Sequence, residues 1–389
     1  MTTLEELGLL KMDFLGLRTL TVIQDTINLV KQNRGIDVEY DKDMSDPKVY
    51  KLWQDGDTVG IFQFESQGIT NFMKELKPDC LEDIVAGVSL YRPGPMDQIP
   101  RYIANKKDPE HAIYTHPALK PILKVTYGCM VYQEQVMQIV RDLAGYSLGR
   151  ADLVRRAMGK KKLDVMAKDR EYFIHGQTDE NGNIIIPGCV RNGIDEQSAN
   201  KIFDEMAEFA KYAFNKSHAA AYAVVSYRTA YLKAYYPAEF MAATLNSFLG
   251  NLDKVPLYID ECKRMNIQIL KPEINKSFTK FTVEDGKIRF GLGSIKNVRI
   301  PVLEAIVKNR EEQGPFKDLA DFCERMQNDS VNKKCIESLI KSGAMDEFNQ
   351  TRATLLASYE DIVDSINTSS KRSLKGQITT VSYTHLTLP

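Results

Sequence analysis

The segment best suited to phosphate chemistry is RADLVRRAMGKKKLDVMAKDR, residues 150–170. It contains eight lysines and arginines but only three aspartates. Clustered cations beside Gly159, where a backbone can approach a ligand closely, suit a polyphosphate. The same charges also suit the solvated face of a surface helix, so composition leaves both interpretations open.

A second candidate is YAFNKSH, residues 212–218. It combines two aromatic rings, an amide, a cation, a hydroxyl and an imidazole at the junction between two predicted helices. Asn215 or Ser217 could instead cap the helix that follows. His218 could be a partly buried core histidine. Taken alone, this segment does not define a chemistry.

The third candidate is LLKMDFLGLRTL, residues 9–20, in which two opposite charges interrupt an apolar run. In a strand, Lys11 and Asp13 would lie on one face while apolar side chains occupy the other. A surface ion pair at a sheet edge would be worth about 0–1 kcal/mol. The alternative is that this face forms the floor of a polar site.

Length and composition limit the classes of protein to consider. The 389 residues, 26% of them charged, predict two or three globular domains. The net charge of −1 means that nucleic-acid binding would need a local basic patch. Six scattered cysteines without a C-x-x-C pair argue against zinc and disulfide frameworks and predict a cytoplasmic location. No apolar run is long enough to predict a membrane span.

The apolar spacing predicts a mainly α fold with small β elements (α+β). Amphipathic helices are expected over residues 129–146, 197–214 and 218–235. A strand is expected at Val59–Phe64, and the Asp285-Gly286 pair predicts a type I′ hairpin.

Six runs of sequence carry a resemblance to a known family. They occur in order between residue 7 and about residue 345, and they read KMDFLGLRTL, IFQFES, YRPGP, YGCMVYQEQVMQI, RRAMGKKK and YAFNKSHAAAYAVVSY. The chain closely resembles the bacterial DNA polymerase III alpha subunit, a C-family replicative DNA polymerase. The resemblance implies five regions: an orphaned palm strand at 1–15, fingers at 16–250, a helix-hairpin-helix module at 251–347, a helix and linker at 348–380, and a non-native tail at 381–389.

The implied activity is that of a DNA-directed DNA polymerase, which transfers a deoxynucleotide from a dNTP to a primer 3′-OH. Two Mg²⁺ ions would stabilise the attacking and leaving oxygens. By match, Asp13 is the third catalytic carboxylate and a metal ligand. Because no other palm carboxylate is present, we expect this chain alone to be inactive and to hold no Mg²⁺ stably. The alternative is a non-enzymatic module that binds nucleic acid or a polymerase partner.

The resemblance also implies partners and binding residues. The expected partners are primer–template DNA, a dNTP, the sliding clamp and other replisome subunits, with no membrane. A clamp-binding peptide would begin at Gln377, but Thr379 and Thr380 replace its apolar residues, so we expect no useful clamp binding. The residues implied for nucleotide binding are Lys11, Arg155, Arg156, Lys160, Lys161, Tyr212, Asn215, Lys216 and His218. Those implied for DNA binding are Lys162, Gly291, Gly293 and Lys296.

Overall fold

A computed structural model describes residues 6–10, 12, 14–159, 163–209, 213–327 and 331–372, with side chains for all of these except 159, 163–165 and 369–372. The fold is mainly α with short strands, which confirms the predicted class. The chain divides into two compact units, one of Met1–Val38 with Tyr236–Pro389 and one of Glu39–Tyr235. The functional boundaries predicted at residues 15, 250 and 347 stay predictions.

The helices account for most of the described residues. In chain order they are α1 (Arg18–Arg34), α2 (Pro47–Asp55), α3 (Gln67–Leu76), α4 (Leu81–Leu90), α5 (Ile99–Lys107), α6 (Lys120–Leu123), α7 (Gln133–Ala144), α8 (Leu148–Gly159), α9 (Leu163–His175), α10 (Glu196–Phe209), α11 (Lys216–Tyr235), α12 (Pro237–Asn246), α13 (Val255–Arg264), α14 (Ile300–Gln313), α15 (Leu319–Arg325), α16 (Lys333–Ser342) and α17 (Arg352–Arg372). The strands are β1 (Gln177–Thr178), β2 (Ile184–Ile186), β3 (Ile269–Leu270), β4 (Thr282–Glu284) and β5 (Lys287–Arg289).

The unit of residues 39–235 contains two hydrophobic cores, and α7 begins where they meet. Tyr132, just before α7, belongs to the core around Trp53 and Tyr227. Val136, one turn into α7, belongs to the core around Phe203. The first residues of α7 are therefore fixed from both sides.

A buried side chain also holds the start of α7. Gln135 Oε1 accepts hydrogen bonds from the backbone N–H groups of Val131 (2.8 Å) and Tyr132 (3.0 Å). Its Nε2 donates to Thr126 Oγ1 at 2.7 Å. These bonds satisfy backbone donors that a helix start would otherwise leave unpaired. As a result, the backbone at Gln133 and Glu134 has a defined position.

In the other unit, β3, β5 and β4 form a small mixed sheet. β3 pairs parallel to β5, and β4 pairs antiparallel to β5. Asp285 (φ 49°) and Gly286 (φ 74°) join β4 to β5, which confirms the predicted hairpin. Helices α14 to α17 enclose a separate core that includes Leu303, Phe322 and Leu339.

Neither of two predicted strands is found among the residues that the structure describes. Val59–Phe64 is a series of turns, because Gly60 (φ 82°) and Gln63 (φ 70°) adopt left-handed conformations that a strand excludes. In the 9–14 segment, the described residues Leu9, Leu10, Met12 and Phe14 lie outside any strand and are exposed. A strand needs a neighbour to pair its backbone groups.

Within the described ranges, no helix has the length and apolar character needed to cross a bilayer. The six cysteines, all of them described, have no disulfide partner.

An ion pair joins α1 to α12 in the unit formed by the two ends of the chain. Arg34 donates from Nε and Nη2 to the two carboxylate oxygens of Glu239, each at 2.8 Å. The Glu239 side chain is 2% exposed and that of Arg34 is 40% exposed. Glu239 therefore depends on Arg34 to compensate its buried charge.

We expect Arg34→Met to lower the free energy of unfolding by about 2–3 kcal/mol, because it leaves the Glu239 carboxylate buried and unpaired. Urea unfolding measures the change. Lys31→Met is the matched control on the same helix, since its pair with Asp37 is exposed and worth about 0–1 kcal/mol. Adding Glu239→Gln should restore most of the loss. Equal effects of the two single substitutions would contradict this assignment.

Candidate functional site

Those residues predicted to bind nucleotide that the structure describes lie at two helices of the same unit. Arg155 and Arg156 lie near the end of α8, and Asn215, Lys216 and His218 lie at the start of α11. Six further residues that the resemblance implies for nucleotide, metal or DNA contacts lie outside the described residues: Lys11, Asp13, Lys160, Lys161, Lys162 and Tyr212.

Gln133, the first residue of α7, connects these two helices. Its backbone N–H donates to Phe214 O at 2.9 Å, and its Nε2 donates to Ala213 O at 2.9 Å. Its Oε1 accepts from Arg155 Nη1 at 3.1 Å. A single residue thus joins the basic end of α8 to the segment that leads into α11.

Glu134, the next residue, holds the N-terminus of α11. Its carboxylate accepts from Asn215 Nδ2 at 3.0 Å and from the backbone N–H of Lys216 at 3.0 and 3.1 Å. Asn215 Oδ1 accepts from the N–H of His218 at 2.8 Å, so Asn215 caps the helix. The capping role considered from sequence is therefore present, and it orients the three polar residues together.

The two arginines of α8 have different environments. Arg155 donates to Asp152 Oδ1 from Nε (3.0 Å) and Nη2 (2.7 Å), and its side chain is 22% exposed. Arg156 donates from Nε to Asp152 Oδ2 at 2.7 Å and is 62% exposed. The hydrogen bond from Arg155 holds the pKa of the Asp152 carboxyl below its usual value. Arg155 holds the end of α8 in position, whereas Arg156 is the cation of the two that is exposed enough to contact a ligand.

Aromatic rings surround the start of α11. The guanidinium carbon of Arg92 lies 3.6 Å from the centroid of the Phe214 ring. The His218 ring packs edge-on against Phe214 (5.4 Å) and lies 4.2 Å from the Tyr222 ring. Burial lowers the pKa of Arg92. The site therefore combines cations with aromatic rings, a combination that suits a base or sugar beside phosphate.

Lys216 already has a carboxylate partner. Its Nζ lies 3.4 Å from Glu82 Oε2, and the two side chains are 35% and 50% exposed. A pair this exposed contributes about 0–1 kcal/mol. A phosphate can therefore replace Glu82 at little cost.

Sequence reasoning missed Arg92, Gln133 and Glu134. All three lie in the runs YRPGP and YGCMVYQEQVMQI that carry the resemblance. For Gln133 and Glu134, the signal in the sequence is a polar pair at the first turn of an amphipathic helix. That pattern does not reveal which other segments of the chain the pair contacts.

The described residues offer a poor site for Mg²⁺. Among them, the one group of three acidic or thiol side chains with ligand atoms within 4.8 Å of one another is Asp79, Cys80 and Asp83. Lys106 Nζ already contacts both carboxylates, and Mg²⁺ disfavours thiol ligands. These residues do not fit the metal that the resemblance implies.

The glycines predicted to contact DNA lie in the other unit and are tightly packed. A Cβ at Gly291 would lie 2.6 Å from Phe281 N, and one at Gly293 would lie 2.8 Å from Thr279 O. The Gly293 N–H donates to Thr279 O at 2.9 Å. Packing thus accounts for both glycines. Lys296 is exposed on the turn that follows, and the DNA-binding role of the three residues stays a prediction.

Comparisons with known proteins match both parts of the chain. Residues 19–181 match the family model of the bacterial DNA polymerase III alpha subunit finger domain, and residues 266–355 match a helix-hairpin-helix motif. The DNA polymerase III subunit alpha of Thermus aquaticus is 48% identical over 93% of this chain and 29% of its own length. That of Bacillus subtilis is 47% identical over 92% of this chain and 31% of its own length.

These matches confirm the resemblance: the chain belongs to the DNA polymerase III alpha subunit family and corresponds to a segment that includes the finger domain. It spans about three-tenths of the length of the curated relatives it matches.

We expect Gln133→Leu to loosen the link between α8 and α11. The substitution removes two side-chain hydrogen bonds, at a cost of about 1–3 kcal/mol in unfolding free energy. Amide hydrogen exchange should become faster in peptides covering Arg155 and Lys216. Gln138→Leu is the matched control, because Gln138 is an exposed residue of the same helix. Identical exchange in the two variants would mean that Gln133 does not hold these segments.

Proposed function

We propose that this chain supplies the nucleotide-facing fingers and a DNA-contacting helix-hairpin-helix region to a DNA polymerase III alpha-type subunit. In the complete subunit, the activity is template-directed transfer of deoxynucleotides from dNTPs to a primer 3′-OH. The family matches support this proposal. The observation that carries it is the bridge at Gln133, which joins Arg155 to the capped start of α11.

The geometry suits recognition of a triphosphate. The Glu134 carboxylate already bonds the Lys216 N–H at the start of α11, so the groups available to a phosphate are the side-chain cations of Arg156 and Lys216. Arg155 positions the end of α8 through Asp152 and Gln133. In this proposal Arg156 and Lys216 contact phosphate oxygens, while the Phe214 and His218 rings face the less polar part of the nucleotide. Lys160, Lys161 and Tyr212 are proposed to extend the same surface.

Metal chemistry is part of the proposal for the complete subunit. Two divalent ions, which we take to be Mg²⁺, would stabilise charge on the attacking and leaving oxygens when bound. Asp13 is proposed as one carboxylate ligand, with Lys11 beside the triphosphate. In this proposal, the described residues of α8 and α11 bind and orient the nucleotide.

DNA and protein partners complete the proposal. Lys162, Lys296, Gly291 and Gly293 are proposed to contact primer–template DNA, with exposed Lys296 the most accessible of those described. The sliding clamp and other replisome subunits are proposed partners of the complete subunit. A cytoplasmic location is proposed from the sequence, whose scattered cysteines have no disulfide-framework spacing.

We expect Arg156→Ala to weaken dATP binding about tenfold or more without changing stability, because it removes a charge-assisted contact from an exposed side chain. Arg155→Ala should weaken binding and also lower the urea midpoint, because it breaks the contacts with Asp152 and Gln133. Isothermal titration of dATP and urea unfolding of the full chain measure the two effects. Lys124→Ala, at an exposed lysine in the turn that follows α6, is the control.

The same titration distinguishes the two classes of function. Saturable dATP binding that depends on Arg156 supports the polymerase fingers. Duplex DNA binding without any dATP binding would overturn the nucleotide site and favour a module that only binds nucleic acid. Equal loss of dATP affinity in Lys124→Ala would assign the effect to net charge.

A further inference from the structure

A separate cleft of about 640 Å³ lies in the unit of residues 39–235. The start of α8, one face of α9 and the β1–β2 hairpin form its walls. Its volume falls within the range of about 300–1,000 Å³ that is typical of small-molecule sites. Arg150, Lys168 and Asp169 belong to the basic run 150–170, but none of the residues assigned individually to nucleotide or DNA binding lines the cleft.

One wall of the cleft is cationic. Arg150, Lys168 and Asp169 are its charged lining residues. Arg150 Nη2 donates to Asp169 Oδ1 at 2.5 Å, and the Asp169 side chain is 3% exposed, so Arg150 already compensates this carboxylate. The Arg150 Nε–H is buried without a hydrogen-bond partner. The exposed Lys168 ammonium therefore gives the wall a net charge of +1.

The opposite wall is apolar. Ile185 and Ile186 of β2 line it, and the Tyr172 ring adds apolar surface one turn along α9 from Lys168. Ile185 is 54% exposed, and its neighbour Ile184 is 59% exposed, so the hairpin presents aliphatic surface to solvent. Ser147 and Gln177 add a hydroxyl and an amide to the lining. A ligand that suits these walls has one anionic end and an apolar body.

The cleft differs from the site at the start of α11. Arg150 and Arg155 share helix α8, but they are five residues apart. That spacing places their side chains about 140° apart around the helix axis and about 7.5 Å apart along it. Arg155 is held by Gln133 on its own side of α8, whereas Arg150 is held by Asp169 of α9.

We propose that this cleft binds a small organic anion, with the anionic group at Lys168 and Arg150 and the apolar body against Tyr172 and Ile185. A phosphate monoester and a carboxylate both have this chemistry. The ligand is recognised by charge at one end and by apolar contact at the other, so neither feature alone is sufficient.

Nuclear magnetic resonance of the ¹⁵N-labelled full chain tests this proposal, with phenyl phosphate, benzoate, inorganic phosphate and benzyl alcohol as probes. Phenyl phosphate, benzoate or both should shift the amide signals of Ser147, Gln177 and Ile185 saturably. The one that binds more tightly identifies the anionic group. Inorganic phosphate and benzyl alcohol should bind at least about tenfold more weakly. No saturable shift from either organic anion, or equal binding of benzyl alcohol, would overturn the proposal.

Two substitutions check the position of the ligand. Lys168→Met should weaken binding of the tighter anion about tenfold, because it removes a charged contact from an exposed residue without disturbing the core. Lys124→Met removes an equal charge away from the cleft and should leave binding unchanged. Ile185→Ala should also weaken binding by several-fold through the lost apolar contact. Equal effects of the two lysine substitutions, or shifts confined to residues 213–218, would overturn the assignment.

Discussion

The candidate nucleotide site depends on the hydrogen bonds that Gln133 makes at the start of α7. They join the Arg155 end of α8 to Ala213 and Phe214, which precede α11. The bridge is effective because its own position is fixed. Tyr132 and Val136 pack into two different cores, and Gln135 Oε1 accepts a hydrogen bond from the backbone N–H of Tyr132. A rigid helix start thereby determines the relative placement of two basic segments that are distant in sequence.

The ion pairs in this region divide into fixed and exchangeable contacts. Arg155 makes three hydrogen bonds within the protein and is mostly covered, so it serves to position α8. Lys216 pairs with the exposed Glu82, whereas Arg156, itself 62% exposed, shares the partly exposed Asp152 with Arg155; ion pairs of exposed cations are weak in water. An incoming phosphate can therefore compete for these two cations without disrupting the fold. Before a ligand arrives, the carboxylates limit repulsion among the clustered positive charges.

Local sequence signals predicted some of these features correctly. The Asp285-Gly286 turn and helix α11 follow from backbone preference and apolar spacing. Asn215 is a possible cap by its residue type and position, and in the structure it caps α11. The strand expected at Val59–Phe64 was wrong, because two left-handed residues interrupt an apolar run that otherwise resembles a strand. The role of Gln133 cannot be predicted from the sequence, because its partners lie in other segments of the chain. Hydrogen bonds between segments that are far apart in sequence leave no periodic pattern.

The structure also changes how two kinds of residue are interpreted. Gly291 and Gly293 are required where the backbone of residues 279–281 passes too close for a side chain. Their identity therefore need not reflect contact with phosphate. Arg155 and Arg156 are neighbours in a basic run, yet only the structure separates the positioning residue from the exposed one. A basic run in a sequence suits an anion site, but it does not assign a role to each cation.

The central claim is that the end of α8 and the start of α11 form one binding site. Titration of dATP into the full chain, followed by nuclear magnetic resonance of the Arg156 Nε–H and of the Lys216 and His218 backbone N–H groups, tests it most directly. If the two helices form one site, all three signals shift with a single common Kd. Different Kd values for the two helices, or a response from only one of them, would contradict it.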